Sequence, residues 1–377
     1  MRRFLDNSGL LIVGTAIALV WANVAELSYR HIADSLHFFV NDIGMTIFFA
    51  LAAKEVVEAT APGGALHSPR QSTLPLLAAV GGMVGPALIY LTLTRILGIT
   101  ELRRGWAIPC ATDIAFSYMA ARFVFGRMHP AIPFLLLLAI ADDAFGLLII
   151  AIFYPSGGVL HPVQFVAIMS AALAIAWALR RRGTLTFWPY LALAGVVSWI
   201  AFHRGGLHPA LALVPIIPFL PHAARDAGLF VDDERAHDTL NELEHWWKTP
   251  VQFILFFFGL VNAGVAVTNV GPGTWIVLAA IVCGKPLGIL ASTYAGTAIG
   301  LRKPDDVTWS DFAVLGCLAG IGFTVALFFA TASFPSGALL DQTKLGALLS
   351  FCAAGVAALF AKALGVGRFG TTFHVRS

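Results

Sequence analysis

Residues 137–150 read LLAIADDAFGLLII and place two adjacent carboxylates, Asp142 and Asp143, in the middle of an apolar run that extends over 131–154. A run of this length can cross about 30 Å of hydrocarbon as one helix. Each aspartate at mid-membrane raises the free energy of insertion by about 2.5–3.5 kcal/mol. The Leu, Ile and Phe side chains of the run each lower it by about 0.3–0.6 kcal/mol, which together roughly cancels the cost of the pair. Because ionisable groups at this depth usually mark a path for ions or protons, the pair predicts an ion site, with a static ion pair as the alternative.

The whole chain shares this apolar character. Of its 377 residues 58% are hydrophobic and 12% are charged, whereas a soluble domain is about 25% charged. The sequence therefore predicts an all-α polytopic membrane protein with about twelve transmembrane helices in a single domain, 1–377. The first run is interpreted as an anchor rather than a signal peptide, because no clear cleavage site follows it. The candidate spans are 9–27, 36–58, 73–97, 104–123, 131–154, 161–179, 186–202, 207–221, 248–268, 273–296, 309–333 and 343–364.

Charge and motif content restrict the class of function. With twelve spans and the N-terminus inside, most Lys and Arg side chains fall in the inside segments, which predicts that both termini are cytoplasmic. The net charge of +3 is then a topology signal, and nothing in it indicates nucleic acid. The sequence has no Walker-type phosphate loop and no dinucleotide glycine pattern, so ATP-driven transport has no support within this chain. We expect neither an enzyme nor a cofactor. The four cysteines lie singly in apolar segments and are interpreted as packing residues.

Two further ionisable residues lie inside apolar runs. Successive residues on a helix point about 100° apart, so Asp142 and Asp143 are expected to have different partners. Lys285, in IVCGKPLGIL (281–290), is a candidate partner. Burial and pairing shift the pKa values of such groups in opposite directions, so the pair could exchange protons. A static salt bridge is again the alternative.

Two spans contain sequences that interrupt helices. In GWAIPCATDIAFSYM (105–119), Pro109 precedes Thr112 and Asp113, and a broken span with an acid at the break is a recurring ion site of secondary transporters. The second, GCLAGIGFTVALFF (316–329), is rich in glycine, and close helix packing explains its composition equally well. Segments 73–154 and 273–364 would then be inverted repeats, each with an interrupted middle helix.

The chain resembles the NhaA family of bacterial sodium/proton antiporters. The resemblance covers nearly the whole chain, and the combination of ATDIAF, the adjacent aspartates and GKPLGI is highly specific. The matching stretches are NDIGMTIFFALAAKEV (41–56), GWAIPCATDIAF (105–116), LAIADDAFGLLIIAIFY (138–154), GLHPALA (206–212), LEH (243–245), NAGV (262–265), GKPLGI (284–289) and GIGFT (320–324).

The resemblance implies a fold in which the fourth and eleventh helices are interrupted and cross at mid-membrane. Asp143 matches the carboxylate that binds Na⁺ or Li⁺ and takes up protons, and Asp142 matches the neighbour that pairs with the lysine corresponding to Lys285. Asp113 and Thr112 match the acid and the hydroxyl at the crossing, where they balance half-helix dipoles and help to bind the ion. Na⁺ and H⁺ would compete for these carboxylates, with electrogenic exchange in the bacterial inner membrane.

The resemblance also bears on regulation and assembly. The family's pH-sensing region matches Glu55, Glu244 and His245, while Glu58 stands one position from a second glutamate and Lys248 replaces a histidine. A further histidine implicated in the pH response matches His208, for which a hydrogen bond at a helix end is the alternative. The implied partners are Na⁺, Li⁺, H⁺ and membrane lipid. A homodimer is possible, but the segment WANVAELSYRHIADSLHFFVND (21–42) leaves little room for the family's β-hairpin interface.

Three other functions fit parts of this pattern. An intramembrane aspartyl protease also needs two buried acids, but on different helices and with a GxGD element that this sequence lacks. An organic anion/sodium symporter of similar fold should offer cationic or polar groups to a carboxylate, whereas this core carries three acids against one lysine. A scaffold or receptor without transport activity would be separated from an antiporter by flux measurements.

Overall fold

The structure, a computed structural model, describes residues 9–156, 160–221 and 238–369, and these residues are mostly helical, with no strand among them. The prediction of an all-α protein with several apolar helices is confirmed. Fifteen α-helices occur in the described ranges. They are α1 (Gly9–Val24), α2 (Glu26–Phe38), α3 (Met45–Thr60), α4 (Pro69–Ile96), α5 (Ile114–Phe125), α6 (Ala131–Phe153), α7 (Pro162–Arg181), α8 (Val196–Gly205), α9 (Thr239–Asn262), α10 (Pro272–Ala279), α11 (Lys285–Ala298), α12 (Trp309–Ala319), α13 (Phe323–Ser333), α14 (Ala338–Leu348) and α15 (Cys352–Leu364).

Several helices join through short π-helical or 3₁₀ segments. The π-helical segments Phe39–Gly44, Tyr190–Gly195 and Ala280–Gly284 lead into α3, α8 and α11 respectively. By length and hydropathy, six continuous helical stretches of the described chain can cross a membrane, or seven if α12 and α13 form one bent span.

The chain divides into two compact units. Unit 1 comprises Met1–Ser68 and Ala144–Gly264, and unit 2 comprises Pro69–Asp143 and Val265–Ser377. In unit 1, α1 lies directly against α9, where a Cβ on Gly14 would come within 2.1 Å of the Phe256 carbonyl oxygen. This close approach is the small-residue packing typical of membrane helices.

In unit 2, glycines bring α4 and α11 equally close together. A Cβ on Gly85 would lie 2.3 Å from the Gly284 carbonyl oxygen, and a Cβ on Gly288 would lie 2.0 Å from that of Gly81. Because Lys285 follows Gly284 directly, this contact fixes the height at which the lysine enters the core. The side chain of Lys285 is completely buried.

The prediction of a spanning helix over 207–221 was wrong. This segment contains only the 3₁₀ turns Pro209–Leu211 and Ile217–Phe219, joined by turns and coil. Four prolines occur within it, and each removes a backbone donor that an α-helix would need. Hydropathy detected the burial of the segment but not its conformation.

Two other boundaries differ from the prediction. Residues 28–35, which no candidate span includes, belong to α2, so 21–42 is largely helical. The helix that contains most of the ninth candidate span, 248–268, begins earlier, at Thr239, because the Asp238 side chain accepts a hydrogen bond from the Asn241 N–H at 2.8 Å and caps α9. Residues 239–247 are largely polar, so the hydropathy of the sequence did not include this first part of α9 in the span.

Candidate ion-binding site

The first interruption occupies residues 100–113 of unit 2. Two 3₁₀ turns, Thr100–Gly105 and Ile108–Cys110, replace a regular helix on either side of Trp106. The backbone is then extended at Ala111 and at Asp113, and α5 begins at the next residue. Pro109 explains the break locally, because it cannot donate the hydrogen bond that would continue a helix.

The second interruption lies between α12 and α13. The first helix ends at Ala319 and the second begins at Phe323, with a bend of 50° between their axes. Gly322 is required here by close approach: a Cβ at this position would lie 2.4 Å from the Ala111 carbonyl oxygen of the first break. At this glycine-rich sequence the structure thus shows a bend between two helices together with the close packing that small residues permit.

The two interruptions satisfy each other's backbone groups. The Asp113 N–H donates to the Ile321 carbonyl at 2.6 Å, and the Ser117 hydroxyl donates to the Leu318 carbonyl at 2.9 Å. The Thr112 hydroxyl lies 2.8 Å from the Ala319 carbonyl oxygen. Carbonyls at the end of α12 and in the break after it thus meet donors from the other break, as buried backbone groups require.

Asp113 lies between two helix N-termini. Its carboxylate accepts hydrogen bonds from the Thr324 hydroxyl at 2.5 Å and the Thr324 N–H at 3.4 Å. The Phe116 N–H donates to the other oxygen at 3.4 Å. One negative charge therefore faces the positive ends of both α5 and α13, where it is favoured by the helix dipoles.

Asp142 and Lys285 form the predicted pair, with Nζ 2.6 Å from Oδ2. The lysine also donates to the Cys110 carbonyl, and the Thr112 hydroxyl lies 2.6 Å from the same Oδ2. The second oxygen, Asp142 Oδ1, is buried and receives no hydrogen bond from the described residues. A carboxylate oxygen in such surroundings is available to a cation or a proton.

The adjacent aspartates differ in burial. Asp142 is 4% exposed, whereas Asp143 has intermediate exposure. This difference agrees with the expectation that neighbours on one helix face different surroundings. The structure thus brings Asp142, Lys285 and Thr112 into direct contact.

Sequence reasoning did not single out Thr324, Ser117 or the Cys110 carbonyl. One signal for Thr324 was available in the sequence. Thr324 is the second residue of a helix that follows Gly320 and Gly322, and hydroxyl side chains at helix starts often form hydrogen bonds with nearby polar groups. No pattern in the sequence could have indicated the Cys110 carbonyl, since every residue has one.

The candidate pH-sensing residues belong to unit 1. Lys54 Nζ lies 2.6 Å from Glu58 and 2.5 Å from Glu244. Glu55 is half-buried on the same helix, while His245 and Lys248 lie on α9 at the surface of the unit. Lys54 is the residue that connects this cluster, and the sequence signal for it was its i,i+4 spacing from Glu58.

His208 also belongs to unit 1. Its Nδ1 accepts a hydrogen bond from the Ala210 N–H at 3.4 Å. His208 therefore makes the helix-end hydrogen bond that is the alternative to a pH-response role.

Comparison with known proteins identifies the family. A sequence model described as Na⁺/H⁺ antiporter 1 matches residues 3–361. The chain belongs to this family. It is 47% identical to a Na⁺/H⁺ antiporter NhaA of Geobacter sulfurreducens, over 95% of this chain and 96% of that protein. It is 45% identical to a Na⁺/H⁺ antiporter NhaA of Desulfitobacterium hafniense, over 94% of each.

The fold also resembles a solved structure. The sodium proton antiporter MjNhaP1 of Methanocaldococcus jannaschii superimposes with a TM-score of 0.58 over 94% of this chain and 91% of that chain, at 15% identity. Family membership and six or more apolar helices make this chain a multi-pass membrane protein. The family is one of transporters, not enzymes, as the sequence indicated.

Proposed function

We propose that this protein exchanges Na⁺ or Li⁺ for H⁺ across the bacterial inner membrane. The observation that carries the proposal is the buried Asp142 Oδ1, which has no donor among the described residues although Lys285 and Thr112 both contact Oδ2. The names of the relatives, Na⁺/H⁺ antiporters, support the choice of Na⁺ and H⁺ as transported ions.

The ion site consists of Asp143, Asp142 and Thr112, with Asp113 as a neighbouring anion. Oxygen ligands suit hard cations such as Na⁺, and unwound helix carbonyls commonly complete such sites. Protonation of the aspartates removes the negative charge that holds the cation. Loading with Na⁺ therefore requires release of protons, and this competition couples the two fluxes.

Lys285 adjusts this balance. While charged, it neutralises Asp142 and stabilises an empty site; a cation that enters beside Asp142 competes with the ammonium for the same carboxylate. The exchange is electrogenic in this proposal, because Asp143 and the Asp142–Lys285 pair together release more than one proton for each Na⁺ that binds. The membrane potential then contributes about 2.3 kcal/mol per charge per 100 mV.

The architecture that accompanies this function has twelve spans, with the fourth and eleventh interrupted and crossing at mid-membrane. Segments 73–154 and 273–364 are its inverted repeats, and both termini are cytoplasmic. The hydrogen bonds between Asp113 and Ile321 and between Thr112 and Ala319 support the crossing. The surrounding lipid is a partner, and a homodimer would form without the family hairpin.

Regulation by pH is assigned to the charged cluster of unit 1. Lys54 is held there by Glu58 and Glu244, beside the half-buried Glu55. The three carboxylates outnumber the one ammonium, so the cluster carries excess negative charge. His208, His245 and Lys248 are further candidates.

The test measures proton movement in everted vesicles or proteoliposomes. A pH gradient is established across their membrane, and a fluorescent pH probe reports its size. Addition of Na⁺ or Li⁺ should dissipate the gradient, whereas K⁺ serves as the negative control. Asp143→Asn should abolish this response at an unchanged level of protein in the membrane. A wild-type protein that moves no protons with Na⁺ or Li⁺ at any pH would refute the proposal, and normal Na⁺ affinity in the variant would refute the role of Asp143.

A further inference from the structure

A histidine outside the ion site is built into the start of the helix that carries the aspartate pair. His129 lies in the loop between α5 and α6. Its Nδ1 accepts a hydrogen bond from the Ala131 N–H at 3.2 Å, and its carbonyl accepts one from the Ile132 N–H at 3.0 Å. These bonds satisfy two of the donors that the first turn of α6 leaves without helical partners.

The imidazole ring also contacts the end of the preceding helix. It stacks on Phe125, the last residue of α5, with ring centroids 4.8 Å apart and an angle of 23° between the planes. Helix α5 has Asp113 as its N-cap. His129 thus joins the end of the helix that Asp113 caps to the start of the helix that carries Asp142 and Asp143.

This arrangement requires an unprotonated Nδ1. A ring nitrogen accepts a hydrogen bond only without its proton, so the ring is neutral and carries its hydrogen on Nε2. Protonation turns Nδ1 into a donor that faces the Ala131 N–H, which is also a donor. It further places a positive charge at the positive end of the α6 dipole.

Asp311 is the charged group that acts on His129. It lies in the first turn of α12, where its carboxylate accepts hydrogen bonds from the Thr308 N–H and hydroxyl at 2.7 and 2.8 Å. Three cationic side chains also lie on the neighbouring segments: Arg122 lies over the Tyr118 ring, and Arg127 and Arg368 are exposed. The acids of the adjoining helices, Asp113 at the start of α5 and the Asp142–Asp143 pair of α6, lie three or more turns along those helices from His129.

Burial lowers the pKa of His129 below its ordinary value of 6.5, and Asp311 opposes this shift. A histidine with a lowered pKa in the folded state contributes its stabilisation fully above the unfolded value, and loses it as the pH falls through the folded value. The capping hydrogen bond is therefore intact above about pH 6.5 and is lost in acid.

We propose that His129 is a positioning residue for ion exchange. In its neutral form it fixes the first turn of α6 and thereby the rotation and depth of Asp142 and Asp143. In acid it releases that turn. The proposal rests on the proposed function and adds to it a pH-dependent element in unit 2. The sequence His-Pro-Ala occurs at 129–131 and again at 208–210, and in both places Nδ1 accepts the N–H of the alanine.

The test uses two substitutions that separate the hydrogen bond from the charge. His129→Asn keeps an acceptor for the N–H two residues ahead, as in an Asx turn, but does not titrate. His129→Phe keeps an aromatic ring beside Phe125 but has no acceptor. His67→Asn, at an exposed histidine of unit 1, is the matched control.

The first measurement is the exchange rate in proteoliposomes as a function of pH. The exchange rate of H129N divided by that of wild type should be near one at about pH 8. If the protonated form is inactive, this ratio should rise to about two at the pH where half of His129 is protonated. H129F should be slower than wild type at about pH 8, and H67N should follow wild type throughout. Superimposable profiles for H129N and wild type, with active wild-type protein, would overturn the proposal.

The second measurement does not depend on transport. Amide hydrogen exchange of a peptide covering 129–134 is compared between wild type and H129N at equal pH. The two should agree at about pH 8, and wild type should exchange faster at about pH 5.5. Equal protection at both pH values would overturn the proposal even if no transport were detected, so this result is distinct from failure of the proposed function.

Discussion

Thr324 offers the sharpest test of how the crossing holds its buried charge. Its hydroxyl lies 2.5 Å from Asp113 Oδ2 and is the shortest contact to that carboxylate, since the Phe116 and Thr324 N–H groups lie at 3.4 Å. Thr324→Val removes the hydroxyl and retains the side-chain shape. A hydrogen bond to a charged group contributes about 1.5–3 kcal/mol, so we expect the free energy of unfolding to fall by that amount.

Thr324→Ser is the matched control, because it keeps the hydroxyl and removes one methyl group from a side chain that is 2% exposed. Loss of that methyl group should cost about 0.8 kcal/mol. Unfolding in mixed micelles, followed by tryptophan fluorescence, measures both variants. In an Asp113→Asn background the cost of T324V should decrease, because the acceptor no longer carries a charge.

Equal destabilisation by T324V and T324S would refute this reasoning, since the hydroxyl would then contribute no more than a methyl group. The same conclusion would follow if T324V cost as much in the Asp113→Asn background as with the native aspartate. The exchange rate gives an independent check: T324V should be impaired in transport more strongly than T324S at equal membrane levels.

Two further substitutions address the backbone and the ion pair. Gly322→Ala should abolish or strongly reduce exchange, because its Cβ would lie 2.4 Å from a backbone oxygen of the first break; Gly146→Ala, where a Cβ meets nothing within 4 Å, should transport normally. Lys285→Met leaves the Asp142 carboxylate buried without its cation, which should lower stability by about 3–5 kcal/mol. Adding Asp142→Asn should restore most of that loss in the same unfolding assay, and a double variant no more stable than K285M would contradict the pairing.

Much of the candidate site could be predicted from residue type and depth alone. A lysine and three aspartates inside apolar runs are so costly in hydrocarbon that they indicate mutual contacts or an ion, and Asp142 does pair with Lys285. Pro109 marks the irregular segment before α5 by local sterics, whereas the need for Gly322 comes from its close approach to Ala111. The segment 207–221 shows the limit of hydropathy: burial was evident, but four prolines decided against an α-helix.

The remaining features arise from contacts between residues far apart in the chain. Thr324 meets Asp113, Ser117 meets the Leu318 carbonyl and Lys285 meets the Cys110 carbonyl only after the two breaks are brought together. No local pattern encodes such contacts, because a hydroxyl or carbonyl has a partner only when the packing of other helices supplies one.

The sequence by itself determined that this is an apolar helical protein with a carboxylate pair in mid-span, since composition and charge burial depend on residue identity. The tertiary structure alone decided which groups surround these carboxylates. It leaves Asp142 Oδ1 without a donor among the described residues while Lys285 and Thr112 occupy Oδ2, and it fixes Asp113 between two helix N-termini. The physical reason is that depth sets the cost of a charge, whereas the direction of neighbouring donors determines which oxygen remains for an ion.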